Sequence, residues 1–118
     1  MHQETYYRPS DLARFVEIGR ENSDTASAFF DYYAKATKDG ALTKREKSLI
    51  ALAVAHALKC PYCIDSLGHT CIELGVSETE MMEAVQVAAA MAAGVTLVHS
   101  TQLLGHIDKH SASKETSS

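Results

Sequence analysis

The sequence lacks the features that mark membrane, secreted and nucleic-acid-binding proteins. No apolar run approaches the roughly 18 residues without a polar group that a membrane-spanning helix needs, and residues 1–15 contain no hydrophobic segment of a secretion signal. Charge of one sign is also lacking, since 15 acidic and 11 basic residues are intermixed for a net charge of −4. This balance argues against a nucleic-acid groove or an anionic membrane surface as partner. We therefore expect a cytoplasmic protein.

Segments of alternating polarity, which are typical of β-strands, are also missing. Hydrophobic residues recur instead at helical spacing, so the sequence predicts an all-α fold. At 118 residues the chain is long enough for one domain. We expect this helical domain to occupy residues 1–110, followed by a flexible tail over residues 111–118, because the tail is polar and of low complexity.

About six helices are predicted. They span residues 11–19, 24–34, 44–59, 61–75, 77–93 and 96–108. Two of them follow capping-box patterns, Thr43 with Glu46 and Ser77 with Glu80, which mark helix starts. Gly94 is expected to interrupt the chain between the last two helices.

Small side chains dominate residues 84–94, which contain six alanines and one glycine. They let helices approach closely, so this segment is predicted to be central, at a subunit contact. Six short helices give a thin core for one chain, and we expect an obligate oligomer. The first helix is expected to place Leu12, Phe15, Val16 and Gly19 on one face.

The run Cys60-Pro61-Tyr62-Cys63 places two thiols three residues apart, close enough to share a disulfide. Pro61 suits the first turn of a helix, so Cys60 is expected near the N-cap and Cys63 within the first turn. Unpaired N–H groups and the helix dipole favour a thiolate there. In a cytoplasmic protein a close cysteine pair is more often catalytic or metal-binding than structural. Thioredoxin-like proteins carry this motif after a β-strand, a setting that is absent here.

Three histidines are weaker candidates. His56 lies four residues before Cys60, and its imidazole is either a proton acceptor for a thiol or a half-buried group bonded to the backbone. His69 lies about 240° around the helix from Cys63, which favours a solvated or interface role. His99 is expected in the core or at an interface.

Other polar residues near the motif have plain structural explanations. Glu46 is expected for capping alone, and a role as proton acceptor is equally compatible with its position. Ser48 is interpreted as a solvated helix residue and Cys71 as a buried, inert thiol. A zinc site formed by Cys60, Cys63, His69 and Cys71 is disfavoured, because structural zinc usually takes two separated ligand pairs on turns.

Three further stretches carry a family resemblance. They are residues 42–65 (LTKREKSLIALAVAHALKCPYCID), 75–85 (GVSETEMMEAV) and 97–99 (LVH). Over residues 42–104 the chain resembles the carboxymuconolactone decarboxylase family, and more narrowly its alkylhydroperoxidase AhpD-like branch. The resemblance implies an all-α bundle assembled as trimers or hexamers. It also implies a redox-active CxxC that reduces hydroperoxides and is itself reduced by a thiol electron donor, with no metal, haem or flavin.

Carried over by position, Cys63 matches the peroxidatic cysteine and Cys60 the resolving one. The proton relay of the family does not carry over. Its histidine, four residues after the second cysteine, is replaced by Leu67, and its glutamate, twelve residues before the first, is replaced by Ser48. Either His56 takes over, or the thiols rely on the helix terminus alone, or efficient peroxidase activity has been lost.

Two other functions remain open. One is a lactone decarboxylase-type enzyme of the same family, which works by acid–base chemistry and needs no cysteine pair. The other is a catalytically idle oligomeric module that binds a small ligand between its helices. A reducible Cys60–Cys63 disulfide argues against the idle module, whereas a decarboxylase is expected to remain active when both cysteines are replaced by serine.

Overall fold

The computed structural model describes residues 6–116, and within them every regular element is helical. An N-terminal 3-10 helix spans Pro9–Gly19. Five α-helices follow, namely α1 (Ser23–Thr37), α2 (Lys44–Ala57), α3 (Pro61–Glu73), α4 (Glu78–Val98) and α5 (Ser100–Thr116). The predicted all-α fold with a CxxC at a helix N-terminus is confirmed. Most of the predicted tail, up to residue 116, continues helix α5, and residues 117–118 lie outside the described residues.

Both predicted capping boxes are present and explain where α2 and α4 begin. The Thr43 hydroxyl accepts the N–H of Glu46 at 3.1 Å, and the Glu46 carboxylate accepts the N–H of Thr43 at 2.8 Å. Ser77 and Glu80 repeat this exchange at 3.1 and 3.0 Å. Each box satisfies two N–H groups that have no partner within the helix.

The first helix differs from the expected α-helix, because it is wound as a 3-10 helix with 3.0 residues per turn. Residues three apart therefore share a row, which places Leu12, Phe15 and Ile18 together. Val16, predicted on the same face as Leu12 and Phe15, is 76% exposed. The prediction of the helix was right in position and wrong in winding.

The ends of helices α2 and α4 also differ from the sequence-based expectation. Helix α2 ends at Ala57 rather than Lys59, because Lys59 adopts a left-handed backbone conformation with φ of 57°. Helix α4 passes through Gly94 without a break and ends at Val98. A glycine inside a helix costs only about 0.5–1 kcal/mol relative to alanine, so it does not stop a helix by itself. Gly75 does end α3 as predicted, with φ of 76°.

A small core lies where α2 packs against α3 and α4. Its buried members are Leu52, Cys71 and Val76, and its partly buried members are Leu49, Leu67, Leu74 and Met81. Cys71 is fully buried, as predicted. Ser48 is a correction, because its side chain is only 5% exposed rather than solvated.

Burial of the Ser48 hydroxyl is compensated by local bonding. It donates to the carbonyl of Arg45 at 2.7 Å, and the thiol of Cys71 lies 3.5 Å from its oxygen. A buried hydroxyl needs such partners, since an unpaired one destabilises the fold. Ser48 and Cys71 therefore join α2 to α3 through a small polar contact inside the core.

An ion pair joins α2 to the start of α4. The Arg45 guanidinium donates to both carboxylate oxygens of Glu80, at 2.6 and 2.7 Å. These bonds and those from Ser77 lower the pKa of Glu80 from its ordinary 4.5 to about 2. Glu80 thus caps α4 and anchors it to α2 with the same carboxylate.

Helices α4 and α5 are separated by His99 alone and extend well beyond the core. The radius of gyration is 21.6 Å, against about 13–14 Å for a compact chain of this length. From residue 89 to residue 113 every side chain is exposed in the single chain. By length and composition alone, Glu78–Ser113 is also the one helical stretch among the described residues that is long and apolar enough to cross a membrane.

We predict that the stabilising effect of Glu80 is lost in acid. Because folding depresses its pKa, the carboxylate contributes stability that is fully present above about pH 5 and disappears as the pH falls towards 2. The difference in free energy of unfolding between wild type and Glu80→Gln should therefore shrink over this range. Urea denaturation followed by circular dichroism, at one fixed protein concentration, measures it.

Glu83→Gln is the matched control, because Glu83 is exposed on the same helix. A Glu80→Gln difference that stays constant between pH 6 and pH 3 would contradict the assigned role of the ion pair.

Candidate redox site

The candidate site is built by the turn between α2 and α3. Lys59 reverses the chain in its left-handed conformation, and the Cys60 N–H donates to the carbonyl of Ala55 at 3.0 Å. Pro61 then opens α3 as its first residue, where the missing N–H of proline leaves no bond unmade. Cys60 is consequently the N-cap residue and Cys63 lies in the first turn, as the sequence predicts.

The two cysteines are joined as a disulfide, with their Cα atoms 5.3 Å apart. The Cys63 N–H donates to Cys60 Sγ at 3.3 Å, so the sulfur occupies the place that a serine or aspartate oxygen takes in an ordinary N-cap. When the pair is reduced, this N–H and the positive end of the helix dipole stabilise a thiolate at the helix start. Thiol and disulfide are thus both compatible with the same backbone.

A cavity of about 740 Å³ opens onto the pair. Its wall is the 3-10 helix, and its floor includes Cys60, Tyr62 and Cys63. The 3-10 helix contributes the apolar row of Leu12, Phe15 and Ile18. A second, charged row consists of Asp11, Arg14 and Glu17 of the same helix and of Arg20 directly after it, and Glu21 also lines the cavity. The cysteines therefore face a mainly apolar space of the size that small-molecule sites have.

The charged row is neutralised largely within itself. Glu17 accepts from Arg14 at 3.1 Å and lies 3.5 Å from Arg20. The bond to Glu17 raises the pKa of Arg14. Asp11 and Glu17 together balance Arg14 and Arg20, so the row presents little net charge to the cavity.

Two tyrosines hold the segment before the 3-10 helix against the motif. The ring of Tyr7 packs edge-on against Tyr62, with centroids 4.7 Å apart, and its hydroxyl donates to the Pro61 carbonyl at 3.3 Å. Burial raises the pKa of Tyr7, and the nearby charges of Asp65 and Tyr62 add to this. The neutral phenol is the hydrogen-bond donor to the CxxC backbone.

The structure brings together the two predicted cysteines but places the other predicted residues elsewhere. Half-buried His56 donates from Nδ1 to the Leu52 carbonyl at 2.8 Å, and His69 is exposed and pairs with Glu73 at 3.0 Å. Glu46 serves its capping box, and the Thr43 N–H lowers its pKa. Neither these three residues nor His99, which bonds to the Val95 carbonyl, line the cavity at the cysteines.

The two positions of the family's proton relay line a different cavity. Ser48 and Leu67 border a space of about 340 Å³ between α1, α2 and α3. Leu67 also packs against the core. The departure noted in the sequence therefore has a structural counterpart, since the residues at these positions serve packing.

Sequence reasoning missed the N-terminal contribution to the site. The signal is the three-residue spacing of Leu12, Phe15 and Ile18, which an α-helical period does not place in one row. In residues 6–116 no group of three or more His, Cys, Asp or Glu side chains is arranged to hold a metal ion.

Comparison with known proteins agrees with this architecture. Residues 23–104 match the family model for the carboxymuconolactone decarboxylase family. A protein from Paracoccus denitrificans named "Uncharacterized protein 4 in cox locus" is 37% identical over 101 residues, which cover 86% of this chain and 91% of the relative.

Two crystal structures share the fold. A protein from Methanobacterium thermoautotrophicum is 32% identical with a TM-score of 0.69, and the match covers 76% of this chain and 98% of that one. The apo form of a carboxymuconolactone decarboxylase family protein from Legionella pneumophila is 29% identical with a TM-score of 0.64, covering 86% and 95% of the two chains. This chain belongs to the carboxymuconolactone decarboxylase family.

Proposed function

We propose that the protein is a cytoplasmic, thiol-dependent peroxidase of the AhpD-like branch, which reduces hydroperoxides through Cys60 and Cys63. The observation that carries this proposal is a disulfide-bonded CxxC at the N-terminus of α3 that opens onto a cavity of ligand size. The family includes enzymes of two kinds, decarboxylases and alkylhydroperoxidases, and the cysteine pair favours the second. A decarboxylase has no use for a reversible disulfide.

The chemistry is a two-electron reduction of the peroxide. The Cys63 thiolate attacks one peroxide oxygen, the O–O bond breaks, and the alkoxide leaves and takes up a proton to become an alcohol. Cys63 is then a sulfenic acid. The Cys60 thiolate attacks its sulfur, the S–S bond forms and water leaves. In sum, two thiols and one hydroperoxide give a disulfide, an alcohol and water.

The hydrogen bond from the Cys63 N–H to Cys60 Sγ suits the resolving role of Cys60. It stabilises the Cys60 thiolate, which is the form that attacks the sulfenic sulfur. The same bond makes Cys60 the better leaving group when an external dithiol donor attacks the disulfide at Cys63. The donor is oxidised to its own disulfide, and the pair returns to two thiols.

Activation of the thiols is assigned to the helix terminus rather than to a histidine. Within the described residues, none of the side chains that line the cavity is an imidazole. His56 uses Nδ1 for a backbone bond one turn back in its own helix. The N-terminus of α3 lies at the Cys60 sulfur, to which the Cys63 sulfur is bonded, and the positive end of the helix dipole requires no further residue to favour a thiolate there.

Assembly into a homo-oligomer is proposed from the exposed rod of α4 and α5. Val87, Met91 and Val95 follow one another at four-residue spacing on α4 and are 59%, 64% and 61% exposed. Such a row on a helix that extends beyond the core requires a covering surface. The family resemblance favours copies of the same chain, as a trimer or hexamer.

Cys63 and Cys60 are expected to have separate roles, which substitution of each cysteine can distinguish. One equivalent of an organic hydroperoxide added to the reduced protein should convert Cys60 and Cys63 to the disulfide, seen as a loss of two hydrogen masses in the peptide that holds both. Cys63→Ser should abolish peroxide consumption. Cys60→Ser should retain one turnover and leave a sulfenic acid on Cys63 that dimedone traps.

Two other results would contradict the assigned roles or the peroxidase function. A dimedone adduct on Cys60 in the Cys63→Ser protein would reverse the two roles. If peroxide leaves both thiols reduced while a chemical disulfide oxidant still joins them, the peroxidase proposal fails and disulfide exchange takes its place. Cys71→Ser is the control, because this thiol is fully buried and outside the cavity.

Replacing His56 tests activation by the helix terminus. We expect His56→Gln and the exposed control His69→Gln to change the rate of sulfenic acid formation by less than about threefold, because neither imidazole lines the cavity. Stopped-flow measurement in the Cys60→Ser background gives this rate. A loss of about a hundredfold or more in His56→Gln alone would identify His56 as the general base.

Assembly through α4 is tested by placing one charge on the exposed apolar row. Met91→Glu should lower the mass in solution towards the 12.8 kDa of one chain, because a buried unpaired carboxylate disfavours the contact. Ile72→Glu on α3 is the matched control, since Ile72 and Met91 are both 64% exposed. Light scattering after size-exclusion chromatography reports the mass, and an unchanged mass in Met91→Glu would refute the assigned surface.

A further inference from the structure

The 3-10 helix lies outside the part of the chain that matches the family model, yet it forms the wall of the redox site. The match begins at residue 23, whereas the cavity is lined by residues 11–21 of the N-terminal segment. The winding at three residues per turn directs Leu12, Phe15 and Ile18 to the cavity in one row. The surroundings of the sulfurs are thus set largely by residues that the family model does not include.

We propose that this helix is the specificity wall of the site and that it selects bulky, apolar organic hydroperoxides over hydrogen peroxide. The inference rests on the proposed peroxidase function and names the substrate preference of this chain. An apolar body gains free energy by displacing water from Leu12, Phe15 and Ile18, whereas hydrogen peroxide has no apolar surface to bury. Because the carboxylates of Asp11 and Glu17 offset the charges of Arg14 and Arg20 in this cavity, an anionic head group gains little from the arginines.

The wall is held at two places, so its row has a defined position relative to the sulfurs. In the middle of the helix, Phe15 packs against Phe29 and Phe30 of α1, with ring centroids 5.9 and 5.1 Å away. Just before the helix begins, Tyr7 contacts Tyr62 and the Pro61 carbonyl within the CxxC loop. A row anchored in this way presents a preformed surface, and binding to it costs little ordering.

Ile18 is the residue that tests the wall with least disturbance of the fold. It lines the cavity and is 57% exposed, so a polar replacement removes apolar contact without emptying a core. Val16 is the matched control, because it belongs to the same helix, is 76% exposed and does not line the cavity. Both residues are changed to serine, so that the same polar side chain is introduced at each position.

The experiment measures two selectivity ratios for the wild type, Ile18→Ser and Val16→Ser. The first is kcat/KM for cumene hydroperoxide divided by that for hydrogen peroxide, with dithiothreitol as electron donor. The second needs no peroxide. It is the rate of alkylation of the reduced Cys60–Cys63 pair by N-phenylmaleimide divided by the rate with N-methylmaleimide, two reagents with the same reactive group and different apolar bulk.

We expect Ile18→Ser to lower both ratios by about three- to tenfold, and Val16→Ser to leave them within about 1.5-fold of wild type. An unchanged alkylation ratio in Ile18→Ser would overturn the specificity wall even if both peroxides are turned over. If neither peroxide oxidises the wild-type pair, the peroxidase function fails, and the alkylation ratio alone decides whether the wall exists.

The alternative explanation is that the row of Leu12, Phe15 and Ile18 forms a contact between subunits. Size-exclusion chromatography with light scattering of the same three proteins separates the two. A lower mass for Ile18→Ser than for Val16→Ser would assign the row to an interface and overturn its role in selecting substrate.

Discussion

The start of helix α3 is the constraint on which the site depends. A proline at its first position removes an N–H that has no helical partner, and the sulfur of Cys60 accepts the N–H of Cys63, three residues further on. This arrangement holds the two sulfurs on the same side of the helix start, within reach of one another, and exposes both to the positive end of the helix. The cavity wall and the tyrosine contacts are all arranged around this turn.

Much of the fold could be predicted from the sequence because its signals are local. A capping box is complete within four residues, so the starts of α2 and α4 follow from Thr43 and Ser77 without knowledge of the rest of the chain. The position of the CxxC at a helix start is also predicted by a local signal, the proline that follows Cys60. The left-handed Gly75 likewise marks a helix end through its own conformational freedom.

The sequence-based predictions fail where residues distant in the chain determine the local structure. Gly94 has nothing within 4 Å of the place where a Cβ atom would stand, so neither packing nor strain breaks the helix there. Ser48 is polar in the sequence but buried, because Cys71, 23 residues later, supplies its environment. The wall of the redox site was missed because a 3-10 helix and an α-helix differ by only 0.6 residues per turn, a difference that eleven residues barely reveal.

Helix α2 contacts both functional parts of the molecule, helix α3 and the start of α4. Its core residues hold α3, which carries the cysteines, while Arg45 anchors the first turn of α4 through Glu80. The exposed part of α4 and α5 lies beyond that anchor. In evolutionary terms, this separation of the redox site on α3 from the exposed part of α4 and α5 makes the protein modular. Substitutions can accumulate on the outer rod, altering which copies meet and how many, while the chemistry at the start of α3 stays under its own selection.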